Sequence, residues 1–284
     1  MSVYRNAVWL VKGLQEYTRS GYEAAAKHFA PADLEVSLSG RSYVITGANS
    51  GLGKATAQEV ANRGGTVHMV CRNQSRADAA KEEIVERSKN QNVHVHIVDM
   101  SNARQVWEFA QSFSQSSCLH VLINNAGCMV NERELTEDGL EKNFATNTLG
   151  TYILTTALIP ALKKVEDPRV VTVSSGGMLT QKLNADDLQF EKGAFDGTAA
   201  YAQNKRQQVI LTESRADLHA VLPRQDAGQA EDGGHGRRHR SVARRVRRRR
   251  QAAERPLLPG SATRHHARPG VMSRVTDQIL PMRS

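Results

Sequence analysis

Tyr43-Val-Ile-Thr46 runs without a break into Gly47-Ala48-Asn49-Ser50-Gly51-Leu52-Gly53, and this stretch decides the fold. A short apolar run rich in β-branched residues, met at once by three glycines, reads as a strand that ends in a tight turn. From Leu52 to about Arg63 the residues then take a helical pattern. Glycines at such a turn let the backbone approach a pyrophosphate closely. The helix behind them offers unpaired N–H groups and the positive end of its dipole. An ordinary tight turn has the same local signature, so the neighbouring segments have to decide between the two.

The alternation continues on the C-terminal side. Thr66–Cys71, Val93–Val98, His120–Asn124 and Arg169–Ser174 read as further strands. Helical patterns fall near Arg76–Lys89, Ala103–Phe113, Glu137–Lys164 and Ala200–Thr212. Strands alternating with helices predict parallel βαβ units: an α/β fold with a Rossmann-type, doubly wound parallel sheet and helices on both faces. On the N-terminal side, Val3, Ala7, Leu10, Leu14 and Tyr17 share one helical face, with Arg5, Lys12 and Arg19 off that stripe and Trp9 as an added amphipathic ring. The spacing predicts a helix packed on the domain through the stripe, and leaves open contact of residues 1–30 with a membrane surface. Three regions follow: an N-terminal helix and linker over 1–40, the catalytic domain over 41–213, and a tail over 214–284.

The spacing TGxxxGxG, rather than GxGxxG, is where the chain begins to resemble the short-chain dehydrogenases/reductases. Three further motifs stand in order: Asn124-Asn125-Ala126-Gly127 after the fourth strand, Asn147 within Asn-Thr-Leu-Gly, and Ser174-Ser175 at the end of the fifth strand followed by Tyr201-Ala-Gln-Asn-Lys205. Tyr and Lys at i and i+4 are common on any helix surface, so the weight lies in the set and its order. The resemblance, over Arg41–Glu213, implies an oxidoreductase that interconverts a carbonyl and an alcohol by hydride transfer. It implies Ser175, Tyr201, Lys205 and Asn147 as catalytic residues. It also implies Gly47, Asn49, Ser50, Gly51, Leu52, Gly53, Arg72, Asp99, Asn125, Ala126 and Gly127, together with Tyr201 and Lys205, as the cofactor-binding set.

The chemistry of these residue types agrees. Hydride addition to a carbonyl leaves an alkoxide that needs a proton. A phenol can supply it when a cation one helical turn away stabilises the phenolate left behind, which is the spacing of Tyr201 and Lys205. A serine hydroxyl can hold the substrate oxygen while charge develops on it; Ser175 matches the family's serine, and Ser174 reads as a strand-end residue bonded to backbone. In the family the lysine also bonds the nicotinamide ribose, and the asparagine supports a proton relay. Cofactor choice is read after the second strand. NAD enzymes usually carry Asp or Glu there, but this chain has Cys71-Arg72-Asn73, and the first carboxylate is Asp78. A guanidinium suits a 2′-phosphate, so NADP(H) is expected rather than NAD(H). Asp99, closing the third strand, matches the family's adenine-side carboxylate, with a plain turn residue as the alternative. His94 and His96 share a strand face with no third ligand nearby, so sheet-face histidines are expected and no metal site.

The chain is formally +9, but the excess is local. Ser214–Ser284 holds 16 Arg, no Lys and six acidic residues, and no aromatic residue follows Tyr201. The three cysteines, Cys71, Cys118 and Cys128, lack zinc or CxxC spacing, which points to a reducing, intracellular and cytoplasmic setting. The longest apolar runs are too short for a span or a signal-peptide core, so secretion is not expected. After Glu213 the strand–helix pattern stops and Arg237–Arg250 is Arg-rich, a composition that predicts disorder. The Arg-rich run lacks aromatic interleaving, so no specific nucleic-acid role is read from it. The family continues past YxxxK with further strands and a Pro-Gly closure that this tail does not supply. Reading Gly233–Arg244 from each codon's second base permits an apolar-periodic string similar to a C-terminal helix of one family member. An out-of-frame tail, as exon skipping would produce, explains Arg without Lys. A catalytically inactive isoform that binds cofactor or partners is therefore the second functional reading beside an enzyme acting on a small carbonyl or alcohol.

Overall fold

The computed structural model describes residues 3–30, 32 and 35–214. Five strands form one sheet: β1 (Ser42–Thr46), β2 (Thr66–Cys71), β3 (Val93–Ile97), β4 (Val121–Asn124) and β5 (Arg169–Thr172). All the pairings are parallel and the order is β3-β2-β1-β4-β5. The chain runs outward from β1 to β2 and β3 on one side and then crosses to β4 and β5 on the other, so the switch point lies between β1 and β4, and the crevice outside their carboxyl ends is the place where open α/β sheets bind ligands.

Side-chain alternation along β1 accounts for the two cores. Tyr43 and Ile45 face α3 (Gly51–Asn62) and α4 (Gln74–Ser88), where they join Ala57, Val60, Ala77 and Ile84. Val44 faces the other way, with Val70 and Leu122, toward α5 (Ala103–Ser116) and the later helices α7 (Thr151–Ala157) and α8 (Ile159–Leu162). Both faces of a parallel sheet are thereby covered, as its near-continuous apolar strands require.

The stretch expected as one helix from Glu137 to Lys164 begins later and is interrupted. Glu141 caps it, its buried carboxylate accepting from the N–H groups of Asn143 (2.8 Å) and Phe144 (2.7 Å). A short α6 (Lys142–Phe144) then passes into a π-helical segment, Ala145–Gly150, before α7. Ahead of the domain lie α1 (Val3–Glu16) and α2 (Arg19–Ala26), separated at Thr18, which caps α2 through its hydroxyl. The apolar stripe of α1 meets the domain through Tyr17, whose ring lies against Gly176, rather than along its length as expected. Leu10, Leu14 and Tyr17 are each more than half exposed. Trp9, off the stripe, instead makes the polar contact with the domain, its indole Nε1–H donating to the Gly176 carbonyl at 2.9 Å. Periodicity identified the helix but not which side meets the domain, because one indole hydrogen bond to a loop carbonyl sets the orientation.

The last helix, α9 (Gly197–Ser214), carries Tyr201 and Lys205 and lies over a 3₁₀ turn, Gly176–Thr180. Among the described residues β5 has a strand neighbour on one side only, β4. The expectations for the tail fall outside the described residues.

Candidate active site

The glycine turn is built to bring backbone close to backbone. Gly47 and Gly51 have φ of +66° and +53°, a left-handed conformation that disfavours any side chain. Gly53 serves a different purpose: a Cβ there would lie 2.3 Å from the Gly47 carbonyl oxygen. At Gly51 an added Cβ would meet nothing within 4 Å, so the turn is closed on its inner side and open on its outer one. Ser50 precedes α3 in an extended conformation without a side-chain cap bond. The helix's first N–H groups are thus left for an anion to engage. Asn49 is half-buried, while Ser50 and Leu52 are exposed.

Thr46, which the sequence reading did not single out, fastens the asparagine segment to this turn. Its buried hydroxyl oxygen accepts from the backbone N–H of Asn125 at 3.0 Å and of Ala126 at 2.9 Å. The Asn125 side chain donates to the Thr46 carbonyl at 2.9 Å. Asn124 reaches the other side, donating to Thr155 Oγ1 at 2.9 Å.

Gly127 joins the first half of the site to the second. It is exposed, and a Cβ there would stand 3.2 Å from Asn147 Oδ1 and 3.4 Å from Lys205 Nζ. Asn147 is fully buried in the π-helical segment. Its side-chain amide donates to the Cys128 carbonyl (2.8 Å) and its Oδ1 accepts from the Cys128 N–H (2.9 Å). The widened helix turn puts this residue where it clasps the 127–128 loop, a use of π-bulges frequent at functional sites. The Asn147 carbonyl accepts from Gln208 Nε2 at 2.6 Å, a partner with no motif to mark it.

Lys205 is almost completely buried, and its ammonium donates to the Val173 carbonyl at 2.9 Å. It also lies 5.6 Å from the centre of the Tyr201 ring. Burial pushes its pKa down to about 8, with Cys128 opposing the shift. Burial raises the Cys128 thiol in turn, against a hydrogen bond from Thr146 and the charges of Arg72 and Lys142. Ser174 donates to the Lys205 carbonyl at 3.0 Å, bonded to backbone as expected, and this holds the end of β5 against the Tyr201–Lys205 turn of α9. Ser175 is half-buried, its Oγ accepting from the Gly177 N–H at 3.2 Å. That leaves the hydroxyl proton free to donate. The 176–180 turn after it carries α1 on its outer side, since Trp9 bonds Gly176 and the Tyr17 ring closes over the same residue.

Arg72 is exposed at the end of β2 and, among the described residues, makes no hydrogen bond or ion pair. Asp99 serves a turn: its Oδ1 accepts from the Ser101 N–H (2.8 Å) and hydroxyl (2.7 Å). His94 and His96 stand on the sheet with His68, which the sequence reading missed. His68 Nδ1 lies 3.1 Å from His96 Nε2, and the His68 ring stacks on His94 at 5.0 Å. Phe109 and Phe113 pack against this group.

A glycine turn at the switch point of a parallel sheet, with a Tyr–Lys helix and a buried asparagine beyond it, defines a class of enzyme. The short chain dehydrogenase family model matches residues 41–184, and the chain belongs to that family of oxidoreductases, which use nicotinamide cofactors on small molecules. Within the family it is 66% identical over 222 residues to dehydrogenase/reductase SDR family member 12 of Bos taurus, covering 78% of this chain and 70% of that protein. Its identity to the Homo sapiens protein of the same name is 65% over the same shares. Retinol dehydrogenase 12 of Homo sapiens is 40% identical over 64% of this chain and 57% of that protein. Among solved structures, an uncharacterised protein from Mycobacterium paratuberculosis superposes with a TM-score of 0.58 at 36% identity, covering 68% of each chain. A short chain dehydrogenase from Escherichia coli CFT073, solved in complex with NADPH, shares the fold at 24% identity and a TM-score of 0.53, over 65% of this chain and 74% of that one.

Proposed function

We propose that this chain is an NADP(H)-dependent carbonyl/alcohol oxidoreductase whose proton chemistry runs through Tyr201. The observation that carries this is Lys205, a buried cation one helical turn from Tyr201 and tied to β5 through Val173. A charge buried at such cost has to serve something, and stabilising a phenolate is the service its position allows. The nucleotide fits the site: the outer side of Gly51 is open, the start of α3 has no side-chain cap, and the Gly127 backbone leads to Lys205. Gly47, Asn49, Ser50, Gly51, Leu52 and Gly53 would hold the pyrophosphate. Arg72, with its guanidinium unengaged, would hold a 2′-phosphate bidentately, and Asp99, Asn125, Ala126 and Gly127 would line the remainder. The bound nicotinamide supplies or accepts the hydride. Tyr201 gives its hydroxyl proton to the substrate oxygen in reduction and takes it back in oxidation, and Ser175 donates a hydrogen bond to that same oxygen. Asn147 acts by position, holding the 127–128 loop beside Lys205.

A second reading, a chain that binds nucleotide without turning over, is favoured by β5. Its Val171 is 46% exposed, and the described residues put no strand beyond it. The Arg-rich composition of 214–284 supports an out-of-frame origin for that segment, which sequencing of the transcript tests directly. The unpaired cysteines support a reducing compartment.

Fluorescence titration of the whole chain with NADPH and NADH tests the cofactor. NADPH is expected to bind tighter, and Arg72→Asp to reverse the order. Equal affinities unmoved by the substitution remove Arg72 from the site. NADPH oxidation over a carbonyl panel tests the rest: turnover that falls ~10²–10⁴-fold in Tyr201→Phe, with nucleotide binding retained, supports the enzyme. Nucleotide binding without turnover supports the second reading.

A further inference from the structure

Two consecutive glycines follow Ser175, and the peptide unit between them is held from both sides. On one side the Trp9 indole Nε1–H donates to the Gly176 carbonyl at 2.9 Å. On the other the Gly177 N–H donates to Ser175 Oγ at 3.2 Å. This carbonyl and this N–H belong to one planar unit and point opposite ways across it. The indole therefore fixes the angle of the plane at one end, and the serine oxygen meets the result at the other. The turn needs such an outside restraint. Successive glycines leave the backbone its widest freedom. The 3₁₀ hydrogen bonds of the turn, such as that from the Met178 N–H to the Ser175 carbonyl at 3.1 Å, have poor geometry. Tyr17 adds a second contact from the same segment: a Cβ at Gly176 would stand 2.4 Å from its ring, so ring and backbone meet directly.

We propose that Trp9 is a positioning residue for Ser175. Through the Gly176–Gly177 peptide plane it holds an N–H donor on the serine oxygen, which commits the hydroxyl proton to the substrate. The inference rests on the reading of Ser175 given above, as the hydroxyl that meets the substrate oxygen. A serine oxygen without a donor on it moves among staggered positions and turns its proton wherever an acceptor lies. One that already accepts has its rotamer set and keeps only its proton to give. Hydrogen bonds in line also polarise one another, so the indole N–H on the Gly176 carbonyl strengthens the Gly177 N–H as a donor to Ser175. Tyr17 packs against the same peptide unit and supports it. The segment ahead of β1 thus belongs to the working parts of the site, although Trp9 touches none of the reacting atoms.

Hydrogen exchange and kinetics on the whole chain, with Trp9→Phe beside the parent, test this. Phenylalanine keeps an aromatic ring against the turn and removes the one donor. Amide exchange over 176–178, read by mass spectrometry, should be about five- to tenfold faster in the variant, the worth of one hydrogen bond in a local opening. Exchange in β1 and the glycine turn should match the parent. Faster exchange confined to α1 makes Trp9 an anchor for its own helix and overturns the proposal. Faster exchange everywhere, β1 included, makes it a residue of general stability and overturns the proposal too, as does exchange unchanged throughout. In NADPH-dependent carbonyl reduction, kcat should fall about tenfold at an unchanged KM for NADPH, short of the ~10²–10³-fold that losing such a donor outright costs. That fall should vanish in the Ser175→Ala background, where no hydroxyl is left to orient. An equal fall in both backgrounds overturns the proposal. A parent that shows the local exchange effect but turns over no carbonyl upholds the link from Trp9 to Ser175 and counts against the oxidoreductase reading instead.

Discussion

Replacing Thr46 by Val tests whether the glycine turn and the Asn125–Gly127 segment are one unit. The side chains are nearly the same shape, so packing at this buried position is preserved while the oxygen is lost. That oxygen is the acceptor for two backbone N–H groups, Asn125 at 3.0 Å and Ala126 at 2.9 Å. Each donor left unsatisfied costs about 1–3 kcal/mol. Both residues are half-buried, so water can reach them in part and the lower half of that range applies, giving a loss of about 2–4 kcal/mol in all. Thr46→Ser keeps the oxygen and removes one methyl group, which costs about 1 kcal/mol. Urea denaturation followed by circular dichroism, with both variants beside the parent, measures the difference. The valine variant should have the lower midpoint at an unchanged m-value, and its NADPH affinity should fall with it because Gly127 loses its anchor. Equal midpoints for valine and serine, or a valine variant as stable as the parent, would refute the argument that this hydroxyl joins the two halves of the site.

Two further outcomes follow from buried cations and imidazoles. Burial, then the charges of His96 and His94, lowers the His68 pKa to about 3, so the unfolded chain takes up a proton near 6.5 that the folded chain refuses. Stability is complete above pH 6.5 and falls as the pH drops toward 3, by up to about 1.4 kcal/mol per unit; His68→Phe should flatten the decline in midpoint between pH 6.5 and 4, and an unchanged slope would remove His68 as its cause. Lys205, held at about 8 by burial, costs the fold stability at neutral pH because its charge is kept from water. Lys205→Met relieves that cost and forfeits the bond to Val173, so its urea midpoint should match or exceed the parent's while turnover is lost. A markedly less stable variant would make Lys205 a structural residue.

The strands were legible because a parallel sheet covered on both faces leaves near-continuous apolar runs, as in β1 and β4, and glycine punctuates their ends. The site motifs were legible for a related reason: Gly47, Gly53 and Gly127 stand where a Cβ would strike backbone or a buried polar atom, and such positions leave a mark on the sequence. What could not be read depends on single hydrogen bonds between distant segments. Thr46 is one more β-branched residue at a strand end until its hydroxyl is seen under Asn125. Gln208 is one more polar residue on a helix until it meets the Asn147 carbonyl. Trp9 turned α1 about its axis, and no periodicity contains that information. The interruption of the Asn147 helix was hidden too, because a π turn differs from an α turn by one residue and needs no proline or glycine to announce it.

That one residue has a consequence for how the protein tolerates change in length. A π turn is an α-helix with a single insertion, so deleting one residue between Ala145 and Gly150 would let the helix rewind to 3.6 residues per turn. Leu154 and Ala157 would keep their seats beneath the sheet, and the protein would stay folded. Asn147, however, would swing by about 100° and release Cys128. A length change that the scaffold absorbs without complaint would thus silence the site, whereas the same deletion in most helices would first show as a loss of folded protein.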